Sequence, residues 1–120
     1  MMEITDEIIG KVTVLKLRGR LNSVSAVSLK DRVNDYAKNG QIRLVIDMAE
    51  IDFVDSSGLG SLVACLRSVR KLGGDVRIAG IQDRVRAVFE LISLHRIFEI
   101  FDDAQNAVVS FQDAEKDAGK

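Results

Sequence analysis

Asp55-Ser56-Ser57-Gly58-Leu59-Gly60 places a carboxylate, two hydroxyls and two glycines on six consecutive residues. The run lies where an apolar strand pattern gives way to an amphipathic helix pattern. Backbone N–H groups in the first turn of a helix lack intrahelical partners, and the helix dipole adds positive potential there. Glycines without a Cβ let another group approach that backbone closely. A phosphoryl group carried by Ser56 or Ser57 would meet those donors and stabilise the helix start by about 1 kcal/mol. Two readings follow from the residues alone. Asp and Ser are favoured N-caps, so the hexapeptide can be plain capping, or one hydroxyl can be a site of regulated chemistry acting on whatever docks there.

Other chemistry is thinly supplied. The single histidine, His95, lies in Leu94-His95-Arg96-Ile97, far along the chain from the serines, and no Gly-x-Ser-x-Gly elbow is present. Ser-His-Asp catalysis would need that one imidazole in place, so His95 reads as a structural loop residue. The single cysteine, Cys65, sits on the helix that follows the hexapeptide, without an assignable activating partner, and reads as packing. One His and one Cys do not make a transition-metal site. Gly58-Leu59-Gly60-Ser61 opens a helix after a strand but lacks both the Gly-Lys-Ser/Thr ending of a P-loop and the third glycine of a dinucleotide fingerprint. The residues themselves call for no cofactor and no catalysis.

The elements that position the hexapeptide follow from periodicity. Ile4 to Ile9 and Val12 to Leu17 flank Gly10-Lys11 as a hairpin, with Gly19 stopping the second strand. Asn22, Ser23 or Ser25 caps a helix carrying Ala26, Leu29, Val33 and Tyr36, which Gly40 ends. Arg43 to Asp47 is a buried strand, and Met48 to Asp55 leads to the serines. The next helix carries Leu59, Leu62, Val63, Leu66, Val69 and Leu72 on one stripe up to Gly73-Gly74. Asp75 to Ala79 is a strand, and Asp83 caps a third helix whose Val85, Val88, Phe89 and Ile92 face inward. Ile97 to Phe101 is a last strand, and Asp102 or Asp103 caps a helix bearing Ala104, Ala107, Val108 and Phe111. The expected fold is a small α/β domain, β-β-α-β-α-β-α-β-α, with a mixed, mostly parallel sheet and helices packed on it.

At 120 residues and 47% apolar composition the chain is expected to form one domain with its own core, over residues 1–112, followed by a polar tail at 113–120. A net charge of −1 gives no basic field for nucleic acid. No apolar run reaches the ~20 residues that span a bilayer, so no membrane partner is expected. The start Met1-Met2-Glu3-Ile4 lacks the basic and apolar regions of a signal peptide, and one cysteine suits a reducing, cytoplasmic compartment. A monomer is the expected state.

Opposite the apolar stripe of the second helix lie Ser57, Ser61, Ala64 and Ser68, small and uncharged, with Arg67, Arg70 and Lys71 at the far end. Exposed helix faces usually carry long charged side chains. A smooth face suits close approach by another protein; equally, Ser and Ala are tolerated on a solvent face.

Ile51-Asp52-Phe53-Val54-Asp55-Ser56-Ser57-Gly58-Leu59-Gly60 resembles the signature of STAS-domain anti-sigma factor antagonists. Gly19-Arg20-Leu21-Asn22, Leu44-Val45-Ile46-Asp47, Gly73-Gly74 and Val88-Phe89-Glu90-Leu91 extend the resemblance over nearly the whole chain. It implies phosphorylation of Ser56 by an anti-sigma factor with serine-kinase activity that uses ATP, and reversal by a metal-dependent serine/threonine phosphatase. It also implies that the unphosphorylated form binds the anti-sigma factor and frees the sigma factor, so that the chain controls transcription without being an enzyme. Asp55 would position the hydroxyl or touch the partner, Ser57 and Gly58 would shape the turn, and Asn22, Ser61 and Ala64 complete the expected partner-binding set. One departure stands out: where such proteins commonly carry an acidic pair, this chain has Arg20 and Asn22. The alternative role is a STAS scaffold or a nucleotide-sensing module in another signalling complex.

Overall fold

Gly10, at φ 61°, closes the hairpin between β1 (Met2–Ile9) and β2 (Val12–Leu21). The computed structural model describes residues 2–118, with side chains described for residues 2–114. Beyond the hairpin the chain alternates α1 (Ser23–Lys38), β3 (Arg43–Val54), α2 (Ser56–Arg70), β4 (Asp75–Ala79), α3 (Asp83–Leu91), a 3-10 turn (Leu94–Arg96), β5 (Ile100–Phe101) and α4 (Ala104–Ala118). The five strands lie in the order β1-β2-β3-β4-β5; β1 pairs antiparallel with β2 and every later pair is parallel. The mixed, mostly parallel α/β sheet read from the sequence is therefore the observed one.

Strand side chains alternate between the two faces, and the alternation divides the core. Leu15, Leu17, Leu44, Ile46, Met48, Val76 and Ile78 pack with the apolar stripes of α1, α2 and α3. Val12, Val14, Val45 and Ala79 pack with Ala107, Val108 and Phe111 of α4. Three helices thus cover one face and α4 the other. β1 is an edge strand, tied to α1 by the Tyr36 hydroxyl, which donates to Asp6 Oδ2, and by Arg32 at 3.5 Å from the same oxygen.

The strands differ from the sequence reading where bulges intervene. Gly19 does not stop β2: the strand continues to Leu21 with Gly19 at φ 114° and register shifts at Lys16/Arg18 and Gly19/Arg20. The extra residues at both shifts lie on β3, between Asp47 and Glu50 and between Ile51 and Phe53, so it is the period of two in β3 that the bulges break, while β2 runs on through a glycine whose type reads as a strand end. β3 is likewise twelve residues long, because Glu50 to Val54 pair with Arg18 to Leu21 after β4 has ended. The two strands project past the rest of the sheet and deliver Asp55 to its end.

Helix ends account for the other differences. Leu72 and Ile92, placed on inward stripes by spacing, are 55% and 50% exposed, since α2 ends at Arg70 and α3 at Leu91. Ser93 in the left-handed region, φ 61°, stops α3. Gln82 rather than Asp83 is the residue before α3, and Asp83 is its first residue. Asp103 caps the start of α4 by accepting from Asn106 N at 2.8 Å. β5 shrinks to Ile100–Phe101 because the 3-10 turn takes up part of the approach. α4 continues as helix through Ala118, across most of the segment read as a polar tail, and residues 119 and 120 lie outside the described residues.

Phe89 is fully buried and meets Phe98 with ring centroids 6.2 Å apart, so it joins α3 and the segment after the 3-10 turn to the main core. Phe89→Ala should lower the unfolding free energy by about 3–5 kcal/mol, read from the urea midpoint. A loss below about 1 kcal/mol would show that α3 is not coupled to the core through this ring.

Candidate functional site

The ends of β2 and β3 are side by side, Leu21 opposite Val54, and α1 and α2 start from them. Asn22 is the N-cap of α1 in extended conformation. Its Oδ1 accepts from Val24 N at 3.1 Å and Ser25 N at 3.2 Å, while Asn22 N donates to Ser25 Oγ at 2.8 Å. Ser25 Oγ in turn donates to Arg20 O at 2.7 Å. Together these satisfy the Val24 and Ser25 donors of the first turn and fix α1 to the end of β2.

The start of α2 is fixed to the same strand. Asp55 N donates to Leu21 O at 3.2 Å, and Asp55 O accepts the first intrahelical bond, from Leu59 N at 3.0 Å. Asp55 is the N-cap, extended at φ −103° and ψ −176°, and its Oδ1 accepts from Gly58 N at 2.8 Å. That carboxylate is a capping group first. Gly58 is buried, and a Cβ there would lie 2.3 Å from Leu21 O and 2.8 Å from Leu21 Cγ. Glycine is thus required by contact with a neighbouring strand, since φ is not in the left-handed region.

Ser56 and Ser57 are the first two helical residues, and both are exposed. Among the described residues neither hydroxyl has a hydrogen-bond partner. Ser56 lies on the lip of a cleft of about 440 Å³ between α2 and α3, lined by Val54, Leu59, Val63, Val88, Ile92 and Leu94. Ile92, which lines it from the end of α3, is itself half exposed. A free hydroxyl therefore borders an apolar hollow at the first turn of a helix.

The other residues expected at the contact surface separate into open and closed positions. Ser57 is exposed and Ala64 half-buried, but Ser61 is only 2% exposed and its hydroxyl donates to Gly58 O at 2.6 Å. The expectation that Ser61 lies on an open face is corrected: it is buried, one turn before buried Cys65, on a helix that packs against α1. Gly60 takes its place on the open side, exposed and with nothing within 4 Å of a Cβ position. Gly60 belongs to the motif but not to the expected contact set; its spacing of three from Ser57 and four from Ala64 is the signal that places it there.

Cys65 is buried, and that burial pushes its thiol up to about 12. Such a thiol is protonated and unreactive at neutral pH. His95 is exposed on the 3-10 turn. Among the described residues no group of three His, Cys, Asp or Glu side chains could hold a metal ion, and no helix is long and apolar enough to cross a membrane.

The STAS domain family model matches residues 3–107. The anti-sigma-B factor antagonist of Listeria monocytogenes is 32% identical over 82 residues, covering 68% of this chain and 72% of that protein. An anti-sigma factor antagonist from Mycobacterium paratuberculosis has the same fold, with a TM-score of 0.82 at 22% identity over 92% of this chain and 93% of that one. The Bacillus cell fate determinant SpoIIAA in its phosphorylated form superimposes with a TM-score of 0.73 at 17% identity, covering 91% and 99%.

The two glycines of the motif should respond oppositely to the same substitution. Gly58→Ala drives a methyl into the Leu21 carbonyl and should cost about 1–3 kcal/mol. Gly60→Ala adds a methyl in open space on a helix and should gain up to about 1 kcal/mol. Denaturant midpoints of the two variants decide this, and equal effects would refute the close approach of α2 to β2.

Proposed function

Because the chain belongs to the STAS domain family, we propose that it is an anti-sigma factor antagonist whose binding is switched at Ser56. The partner is an anti-sigma factor with serine-kinase activity, which transfers phosphate from ATP to the Ser56 hydroxyl. A serine/threonine phosphatase removes it. Unphosphorylated, the chain holds the anti-sigma factor and releases the sigma factor; phosphorylated, it lets go. The Listeria relative, an anti-sigma-B factor antagonist, supports the general role.

The observation that carries this reading is the state of the Ser56 hydroxyl: exposed, without an intramolecular partner among the described residues, and held at the first turn of a helix anchored by Leu21 and Gly58. A kinase can reach it without unfolding anything. Asp55, whose Oδ1 caps Gly58 N, keeps the turn in shape. Ser57, Gly60 and Ala64 form the low-relief part of the contact surface, and Gly58 acts by setting the helix position. Asn22 contributes by fixing the start of α1 next to the switch.

Electrostatics gives the switch its sign. Phosphate adds roughly −1.5 to −2 charge at neutral pH. In the free protein that charge sits at the positive end of a helix and is tolerated or mildly stabilising. In a closed complex it would be desolvated beside an apolar cleft, at a cost of several kcal/mol and hence orders of magnitude in affinity.

Ser56→Ala and Ser56→Asp, used as paired baits in cells that make this chain, test the reading. The Ala form should capture a protein with an ATP-binding kinase fold, and the Asp form should lose it by at least about tenfold. Both should melt within about 4 °C of the unmodified chain, roughly the shift that a 1 kcal/mol change produces in a domain of this size. A large fall in Tm for Ser56→Asp with unchanged capture would show that the residue serves folding instead.

A further inference from the structure

Among the described residues two arginines lie on phenylalanine rings, and they are in opposite states. Arg77 stacks on Phe111 at 4.0 Å and is otherwise satisfied: it pairs with Asp75 at 3.2 Å and Glu99 at 3.7 Å and donates to Ser110 Oγ at 2.7 Å, with its side chain only 13% exposed. It ties α4 to β4. Arg20 stacks on Phe53 at 4.1 Å. Its side chain is exposed, and among the described residues it has no carboxylate within ion-pair distance and no acceptor for its guanidinium N–H groups.

Holding an exposed guanidinium on a ring costs rotamer freedom in advance, so less is lost when a partner binds it. The ring is itself 38% exposed, a large apolar surface left open next to a fixed charge. Arginine and aromatic side chains together are the groups that dominate binding energy at protein interfaces. The location is specific as well. Arg20 pairs with Phe53 in the projecting β2–β3 ribbon, one residue before Leu21, whose carbonyl holds Asp55, and Phe53 lies three residues before Ser56.

We propose that Arg20, presented on Phe53, is a specificity contact that receives a carboxylate side chain of the protein docking around Ser56. The inference rests on the reading of Ser56 as the switch of a protein contact. A single guanidinium fork matches a single carboxylate in bidentate geometry. Nucleic acid would require a cluster of cations to neutralise successive phosphates, and this chain carries a net charge of −1. The contact therefore selects among anti-sigma factors: one that presents an acidic residue at this position binds, and one that presents a basic residue is repelled.

The probe is the purified anti-sigma factor captured by Ser56→Ala, titrated calorimetrically without nucleotide into the unmodified chain and into Arg20→Glu, Arg20→Lys, Phe53→Leu and Ser56→Asp. Arg20→Glu should weaken binding at least about tenfold at low salt, and the gap should narrow as salt screens the pair. Arg20→Lys should fall between, since it keeps the charge and loses the fork. Phe53→Leu should weaken binding less than Arg20→Glu, with all Tm values close to that of the unmodified chain. Reversal of one acidic residue on the anti-sigma factor to Lys should restore binding to Arg20→Glu. Unchanged affinity of Arg20→Glu overturns the proposal, including the case in which Arg20 merely holds a phosphate on Ser56 of its own chain. A loss for Arg20→Glu with none for Ser56→Asp keeps the contact and removes the switch; the reverse keeps the switch and removes the contact. If Ser56→Ala captures nothing, both fall.

Discussion

The carbonyl of Leu21 is the point on which the functional end of this protein turns. It accepts the N–H of Asp55 and lies against Gly58, while its own side chain is fully buried in the main core. A helix whose first turn touches the end of a neighbouring strand cannot slide or tilt without breaking that bond or opening the core. Ser56 is presented from a rigid base for this reason, although it is itself exposed and its hydroxyl makes no hydrogen bond among the described residues. Rigidity of the support and freedom of the hydroxyl are separate properties, and the motif assigns them to different residues: Asp55 and Gly58 hold, Ser56 is held. The same strand end fixes α1 through Asn22 and Ser25, so the two helix starts form one unit.

Placing a modifiable group at a helix start decouples modification from folding. Charge at that position is compatible with the helix dipole, so the free protein would have no reason to unfold on phosphorylation. In the proposed complex the whole effect of such a charge would fall on the interface, since the apolar cleft between α2 and α3 offers no counter-charge. Had the same serine lain at a helix C-terminus, the signs would oppose each other, and part of the effect would be lost as reduced stability.

Much of this organisation is legible in the sequence because it rests on local chemistry. Apolar stripes at helical spacing locate α1, α2 and α4, and Asp55 and Asn22 announce themselves as caps by type and position. What stays hidden is non-local. Gly19 reads as a strand stop because its positive φ and its pairing between β1 and β3 can be inferred only once the partner strands are known. Met48 to Val54 reads as a connection because its pairing is one-sided and its polar residues face solvent. Ser61 reads as open because small polar residues fit a solvent face and a helix–helix contact equally well; only the packing of α1 on α2 distinguishes them. Gly58 and Gly60 are indistinguishable as letters, and the difference between them is a neighbouring carbonyl.

Arg77 and Arg20 differ in the same non-local way. Both stack on a phenylalanine, so stacking alone says nothing about role. What separates them is how many of their remaining donors find acceptors. Arg77, surrounded by Asp75, Glu99 and Ser110, has its charge compensated within the chain and serves packing. Arg20 is oriented but uncompensated among the described residues, at the end of the sheet where two helix starts, an exposed hydroxyl and an open cleft coincide. A group ordered in advance with its valences unmet gains more from a partner than a mobile one does, because the entropic cost of ordering it has already been absorbed in folding. The charge state of that arginine's surroundings, more than the stack itself, is what sets Arg20 apart from Arg77 and what the proposed contact with another protein rests on.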